Sequence, residues 1–276
     1  MVKASQITVY GLGLINAMLS NRPYNVYPNT TLNEKFNVLA KEHVISTSKS
    51  LVYPRLKYFG IGIGGVPIIE GVDEYKFSQH SALDAALFKQ IPFALKKVDN
   101  DFLPEEKDKY RLRVETRIKG ESYYAYYLKV ASGIDNRGYS YIIKKVNGID
   151  TLSRLDINTD RFLNPVPVGK PIDRQAMLEA PTVINRFKLE LELDDKDIIE
   201  LQNVLELLDL PRNTKLNELA VCFGHEQLIE GNFELVDIQI GYHVDIDLDV
   251  KIDFSPLKTF KRNIELGGAE PLFVSI

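Results

Sequence analysis

The sequence predicts an α+β protein rich in β-structure: mainly antiparallel sheets with long hairpins, a few short helices and an extended N-terminal arm. Three observations lead there. From Ile238 to Phe254 the chain reads I-Q-I-G-Y-H-V-D-I-D-L-D-V-K-I-D-F, with an apolar residue at every even position, which is the period of a strand. Between Tyr110 and Ala131 two further strand-like runs flank a G-E-S turn, as in a hairpin. Fourteen tyrosines and thirteen phenylalanines, with no tryptophan, give the aromatic load that pleated surfaces favour.

The elements follow in order. Residues 1–55 are rich in Asn, Thr, Tyr and Pro, notably N-R-P-Y-N-V-Y-P-N-T-T-L-N from Asn21 to Asn33; Ile15–Leu19 is expected as one short helix. Pro23 and Pro28 favour extended or turn backbone before them. This stretch is read as an arm whose Tyr24, Tyr27 and Phe36 need a surface to pack on, either the chain's own body or a neighbour. Residues 56–163 are expected to form a β-rich body with one short helix at Ser81–Lys89, closed by Pro92. That body holds the 110–131 hairpin and a second one through Tyr139–Val146, an Asn147-Gly148 turn and Ile149–Leu155. Residues 164–185 open with N-P-V-P-V-G-K-P-I-D and read as a Pro-rich linker. Residues 186–276 are then a C-terminal α+β domain. It comprises a strand at Phe187–Leu193, a helix capped by Asp194 or Asp195, a strand at Leu216–Phe223, a loop at 224–232, the long ribbon and a docked apolar tail. A strand as long as the ribbon either protrudes or bends, and Gly241 is the place for a bulge.

Composition narrows function. With 276 residues, 45% hydrophobic and 26% charged, the chain has material for a real core. Its net charge is −4 with lysines and arginines spread along it, so a nucleic-acid partner is disfavoured. The single cysteine, Cys222, excludes an internal disulfide framework and a multi-cysteine zinc site and points to a reducing compartment. The N-terminus is read as a folded start rather than a signal peptide. No window approaches the 18 or so apolar residues of a membrane-spanning helix.

Candidate chemistry is sparse. Gly60, Gly62 and Gly65 satisfy G-x-G-x-x-G, but V-P-I-I-E-G-V follows where a helix would have to start to meet a pyrophosphate, so the glycines are read as permitting close backbone approach. His43, His80, His225 and His243 show no metal-ligand spacing and are read as structural. Cys222 near His225 sits in an apolar run, as a buried small hydrophobe would. Asp245, Asp247 and Asp249 open like a calcium loop, yet Val250 and Pro256 stand at its glycine and glutamate positions. On a strand they form an acidic stripe, suited to a weak cation site or to an Arg-rich face carrying Arg111, Arg113 and Arg117 on another subunit. No catalytic residue, cofactor or metal ligand set is expected. Tyr123, Tyr124, Tyr126 and Tyr127 offer the rival of a carbohydrate- or ligand-binding β-domain with stacking platforms.

Three passages resemble structural proteins of tailed bacteriophage virions: G-L-G-L-I-N-A-M-L-S-N-R-P-Y, V-Y-P-R-L-K-Y-F-G-I-G-I-G-G, and K-L-N-E-L-A-V-C-F-G running into the 238–254 stretch. The resemblance implies a tail, baseplate or neck component without enzymatic activity. It would be assembled in the host cytoplasm and joined by strand addition and arm wrapping to other virion structural proteins and to copies of itself. The baseplate is the expected position, with the neck or tail completion as the alternative.

Overall fold

The computed structural model describes residues 2–27, 29–37, 53–65, 80–146, 149–155, 182–211, 214, 216–229, 232–246 and 260–270. In chain order the described elements are β1 (Val2–Ile7), α1 (Val9–Ser20), α2 (Leu32–Lys35), β2 (Tyr58–Gly62), β3 (Gln90–Ile91), β4 (Ala94–Lys97), α3 (Pro104–Lys107), β5 (Tyr110–Ile118), β6 (Glu121–Val130), β7 (Gly133–Val146), β8 (Ile149–Leu155), β9 (Thr182–Leu193), α4 (Asp195–Leu207), β10 (Glu218–Ile229), β11 (Asn232–Ile246) and β12 (Phe260–Glu270). The fold is α+β and β-rich, with antiparallel pairing throughout the described ladders, as expected.

The chain divides into two units. One comprises Met1–Ser132 with Leu191–Arg262, the other Gly133–Glu190 with Asn263–Ile276. The first carries an eight-stranded sheet of order β1-β11-β10-β2-β6-β4, with β3 beside β2 and β5 beside β6; the second carries β12-β9-β7-β8. This departs from the expected division into residues 56–163 and 186–276. Strands from both ends of the chain interleave in one sheet, because β10 pairs with β11 on one edge and β2 on the other. Of the expected 164–185 linker, only 182–185 lie among the described residues, and they belong to β9.

The expected arm is likewise built into the first unit. β1 adds to β11, and Leu14, Ala17 and Tyr24 pack against Phe223. Thr8 explains why α1 starts where it does: its hydroxyl caps Gly11 N–H and donates to the Ile240 carbonyl, while its own N–H donates to Gly241 O at 3.0 Å. Those carbonyls are free for this because Gly241 is a bulge: Val221 pairs with Tyr242 and Cys222 with Ile240, leaving it unmatched. The bend expected at Gly241 is therefore present, but β11 lies inside the sheet, and beyond Ile246 the ribbon falls outside the described residues.

The hairpin of β5 and β6 closes through Lys119 and Gly120, both at positive φ, the geometry of a tight turn matched to strand twist. β7 and β8 form the second expected hairpin. α4 starts at an Asp194–Asp197 capping box and buries Ile198, Leu201, Val204 and Leu205, the face its periodicity indicates. Two local expectations fail. The 224–232 loop is mostly strand: β10 continues to Ile229, past a register shift beside Gly224, where a Cβ would meet Val236 O at 2.9 Å. Ser81–Lys89 is a string of turns, not a helix, because its amides are used elsewhere.

The seating of α1 on the bulge gives a paired prediction. A Cβ on Gly11 would stand 2.5 Å from the Gly241 carbonyl oxygen, whereas one on Gly13 meets only the Tyr24 ring at an ordinary 3.5 Å. Chemical denaturation should find Gly11→Ala destabilised by about 2 kcal/mol and Gly13→Ala stabilised by up to ~1 kcal/mol through helix propensity.

Candidate functional site

Glu218, the first residue of β10, carries a carboxylate that is 1% exposed and therefore has to be satisfied by protein donors. Oε1 accepts from Phe88 N–H and from His80 Nε2, both at 2.8 Å. Oε2 accepts from Gly64 N–H and, at 3.2 Å, from Lys89 N–H. The glycine passage makes room for it: a Cβ on Gly62 would lie 2.5 Å from Oε2, and one on Gly64 would lie 2.5 Å from Lys89 N. The G-x-G stretch thus cradles an anion of its own chain. Spending the Phe88 and Lys89 amides on this carboxylate is what prevents the helix expected at 81–89, since a helix would turn them toward its own carbonyls.

His80 completes the cluster. Its Nδ1 faces Asp84 Oδ2 at 3.2 Å, so both ring nitrogens meet carboxylates, which only accept; the ring is an imidazolium. Burial opposes that charge, but the bonds to Glu218 and Asp84 outweigh it and hold the His80 pKa above the ordinary value. Burial also pushes the Glu218 carboxyl up, and the His80 and backbone N–H donors more than reverse it, holding it below the usual range. The ring is stacked between Phe88, at 4.2 Å between centroids, and His243 of β11, at 4.0 Å. His243 donates Nε2–H to the Asp84 carbonyl at 2.9 Å, and its Nδ1 is buried with no hydrogen-bond partner among the described residues. Burial pulls its pKa down to about 4, against the pull of the Asp84 carbonyl and with the His80 charge adding to the fall.

A second polar cluster lies under α4. Asp197 accepts from Tyr110 Oη and, at 2.6 Å, from Lys129 Nζ, a buried pair. Beside it a half-open cleft of about 170 Å³ is lined by Phe102, Tyr110, Lys96 and Glu200 among others. Lys96 is already paired with Glu200 and sits 4.6 Å over the Phe102 ring. No group of three or more His, Cys, Asp or Glu residues suited to a metal ion occurs among the described residues. Cys222 is fully buried in the core beside Tyr58 and Ile240, and burial pushes its thiol far up, so it is no nucleophile.

A family of unknown function, DUF7208, matches residues 1–275. The chain belongs to that family. No curated protein and no solved structure matches it.

In this DUF7208 chain the interface residues anticipated from sequence are scattered. Tyr24 is buried, edge-on to Phe223 with its hydroxyl on Gln239 Oε1, and so is a core residue rather than an external anchor. Phe36 stacks on Tyr127 at 4.1 Å, again within the chain. Arg111 pairs with Glu226 at 3.2 Å; Arg113 lies 3.5 Å from Asp101 and 3.9 Å from Glu234 and covers the Tyr124 ring. The arginine face is met by the chain's own β10–β11 hairpin. Tyr27 and Arg117 are exposed. Asp245 pairs through its backbone with Ala4 and Glu218, while Asp247 and Asp249 lie outside the described residues. None of Tyr123, Tyr124, Tyr126 and Tyr127 is exposed, so they form no open stacking platform. No described helix is long and apolar enough to cross a membrane.

Sequence reasoning missed the Glu218 cluster because it weighed each histidine alone. His80 and Asp84 stand one helical turn apart and Gly62 and Gly64 precede them, but the carboxylate that joins them is 154 residues from Gly64. Its worth is measurable. Glu218→Gln should lower the unfolding free energy at pH 7 by about 3 kcal/mol, because an amide, with one accepting oxygen, cannot satisfy four donors at once. Glu218's pKa is lower folded than unfolded, so its contribution is present above pH 4.5 and is lost as pH falls through the folded value. The gap between wild type and variant, followed by urea denaturation, should therefore close as the pH drops below 4.5.

Proposed function

We propose that the chain is a structural subunit of a tailed-phage virion, positioned in the baseplate, that joins neighbouring virion subunits and copies of itself. One observation carries the assembly reading. α1 buries Gly11, Leu14 and Ala17 and turns Val9, Leu12, Ile15, Met18 and Leu19 outward, with Leu19 82% exposed and Leu12 45%. No charged residue occurs from Val9 to Asn21. Isolated exposed apolar side chains are ordinary, but five on one uncharged helix form the kind of surface that protein contacts cover. The same helix lies in one of the passages that resemble phage structural proteins. β1, at the margin of the eight-stranded sheet, adds an edge for strand addition, and exposed Tyr27 an aromatic anchor. A position in the neck or as a tail-completion protein makes the same demand on these surfaces. Assembly in the host cytoplasm belongs to this reading.

The test is incorporation into particles. Mass spectrometry of purified virions should find the chain, and Leu12→Glu/Leu19→Glu should reduce its incorporation at least tenfold. Because both side chains are exposed, stability of the isolated variant should change by less than about 0.5 kcal/mol per site. Absence of the wild-type chain from the particles, or undiminished incorporation of a folded variant, would sink the proposal.

A further inference from the structure

We infer that His243 and His80 form an acid-sensitive latch: protonation of His243 expels the 80–89 segment from β11 and loosens the start of α1. This inference does not rest on the assembly reading. Its basis is the stack itself. One ring of the pair is already a cation, fixed between Asp84 and Glu218, and the other lies 4.0 Å away and nearly parallel, at 7°. A second proton would face one imidazolium with another. It would also sit on His243 Nδ1, turning a silent lone pair into a buried donor with no acceptor among the described residues. Neither problem is cured by small movements, because the Nε2 side is committed to the Asp84 carbonyl.

Among the described residues no acceptor meets His243 Nδ1. On β10, Glu218 is occupied by His80 and three backbone amides. On the 80–89 segment, Asp84 Oδ2 accepts from His80 and, at 2.8 Å, from Ser81 N–H, while the Asp84 carbonyl meets the opposite ring nitrogen of His243. β1 offers uncharged Gln6 opposite His243. α2 contributes Lys35, whose Nζ donates to the Leu87 carbonyl, and α1 contributes neutral Tyr10. Both carboxylates favour a proton on His243, yet burial prevails and holds the group neutral down to about pH 4. Opening the segment restores water to the ring and an ordinary pKa near 6.5.

The same segment fastens α1. Val9 N–H donates to Ala82 O at 2.9 Å and Tyr10 Oη to Leu83 O at 3.3 Å. Release of 80–89 removes both ties while the Thr8 contact with Gly241 remains. The sign follows from proton binding. Between pH 6.5 and about 4 the open state binds a proton at His243 that the closed state refuses, so acid favours opening. Because the closed contacts hold the His80 pKa up, His80 opposes opening slightly near pH 6.5 and contributes little further down the range.

Hydrogen exchange on the full chain tests this at pH 6.5 and 4.5, with rates corrected for intrinsic pH dependence. Protection of peptides spanning 80–89 should fall ~40-fold at the lower pH, while the β5–β6 hairpin keeps its protection. His243→Asn, which retains a donor for the Asp84 carbonyl without titrating, should abolish the difference. An unchanged 80–89 segment in the wild type, or an undiminished response in the folded variant, overturns the latch. If the variant does not fold, NMR titration of the wild-type imidazoles decides: His243 still neutral at pH 5 supports the latch, and titration near pH 6.5 refutes it.

Discussion

A buried carboxylate that must find donors organises the first unit. Glu218 draws backbone amides from residues 64, 88 and 89 and a charged ring from residue 80, so two segments with no regular structure of their own take a fixed course around it. Burying an ion is costly, and only a nearly complete set of hydrogen bonds makes it tolerable. The arrangement therefore tolerates few alternatives. The glycines at 62 and 64 supply clearance, Asn217 holds the Gly65 amide at 3.1 Å, and the Asn217 amide returns to the Gly62 carbonyl.

The same logic explains why β11, a strand with a polar residue at every second position, is buried on both faces over residues 235–244. Two of its polar side chains, Gln239 and His243, are met by groups from the chain's irregular stretches. Gln239 accepts from Tyr24 and donates to Thr30 at 2.7 Å; His243 meets the Asp84 carbonyl. Where the ladder with β10 breaks between Val236 and Gln239, Asn33 replaces a strand: its amide donates to Leu235 O and its carbonyl accepts from Ile238 N–H. The first 37 residues act as a cover whose polar groups are matched to the strand beneath.

This matching marks what could be learned from the sequence. Local signals carried far: period two for β5, β6 and β11, the Asp194 cap and apolar face of α4, and the bulge at Gly241 all depend on neighbours within a few residues. The polar face of β11 shows in the sequence only as an acidic stripe, because the partners of its Gln239 and His243 are about 160 to 215 residues away, as for Asp84 and Tyr24. Residues 81–89 have helical composition, and nothing nearby reveals that Glu218 claims two of their amides. The arginines of β5 looked available for another subunit for the same reason, since Glu226 and Glu234 reach them only once the β10–β11 hairpin has formed.

The interleaving of the large sheet also fixes an order of events. β2 pairs with β6, and the β5–β6 hairpin can close as soon as residue 130 has been made. The other edge of β2 belongs to β10, and β1 and the cover have nothing to lie on until β11 exists. A nascent chain must therefore carry an open strand edge and an uncovered helix through the synthesis of about a hundred further residues, an interval of several seconds or more at ordinary rates of elongation. Closure of this unit is a late, long-range event, and folding should be slow for a chain of its size.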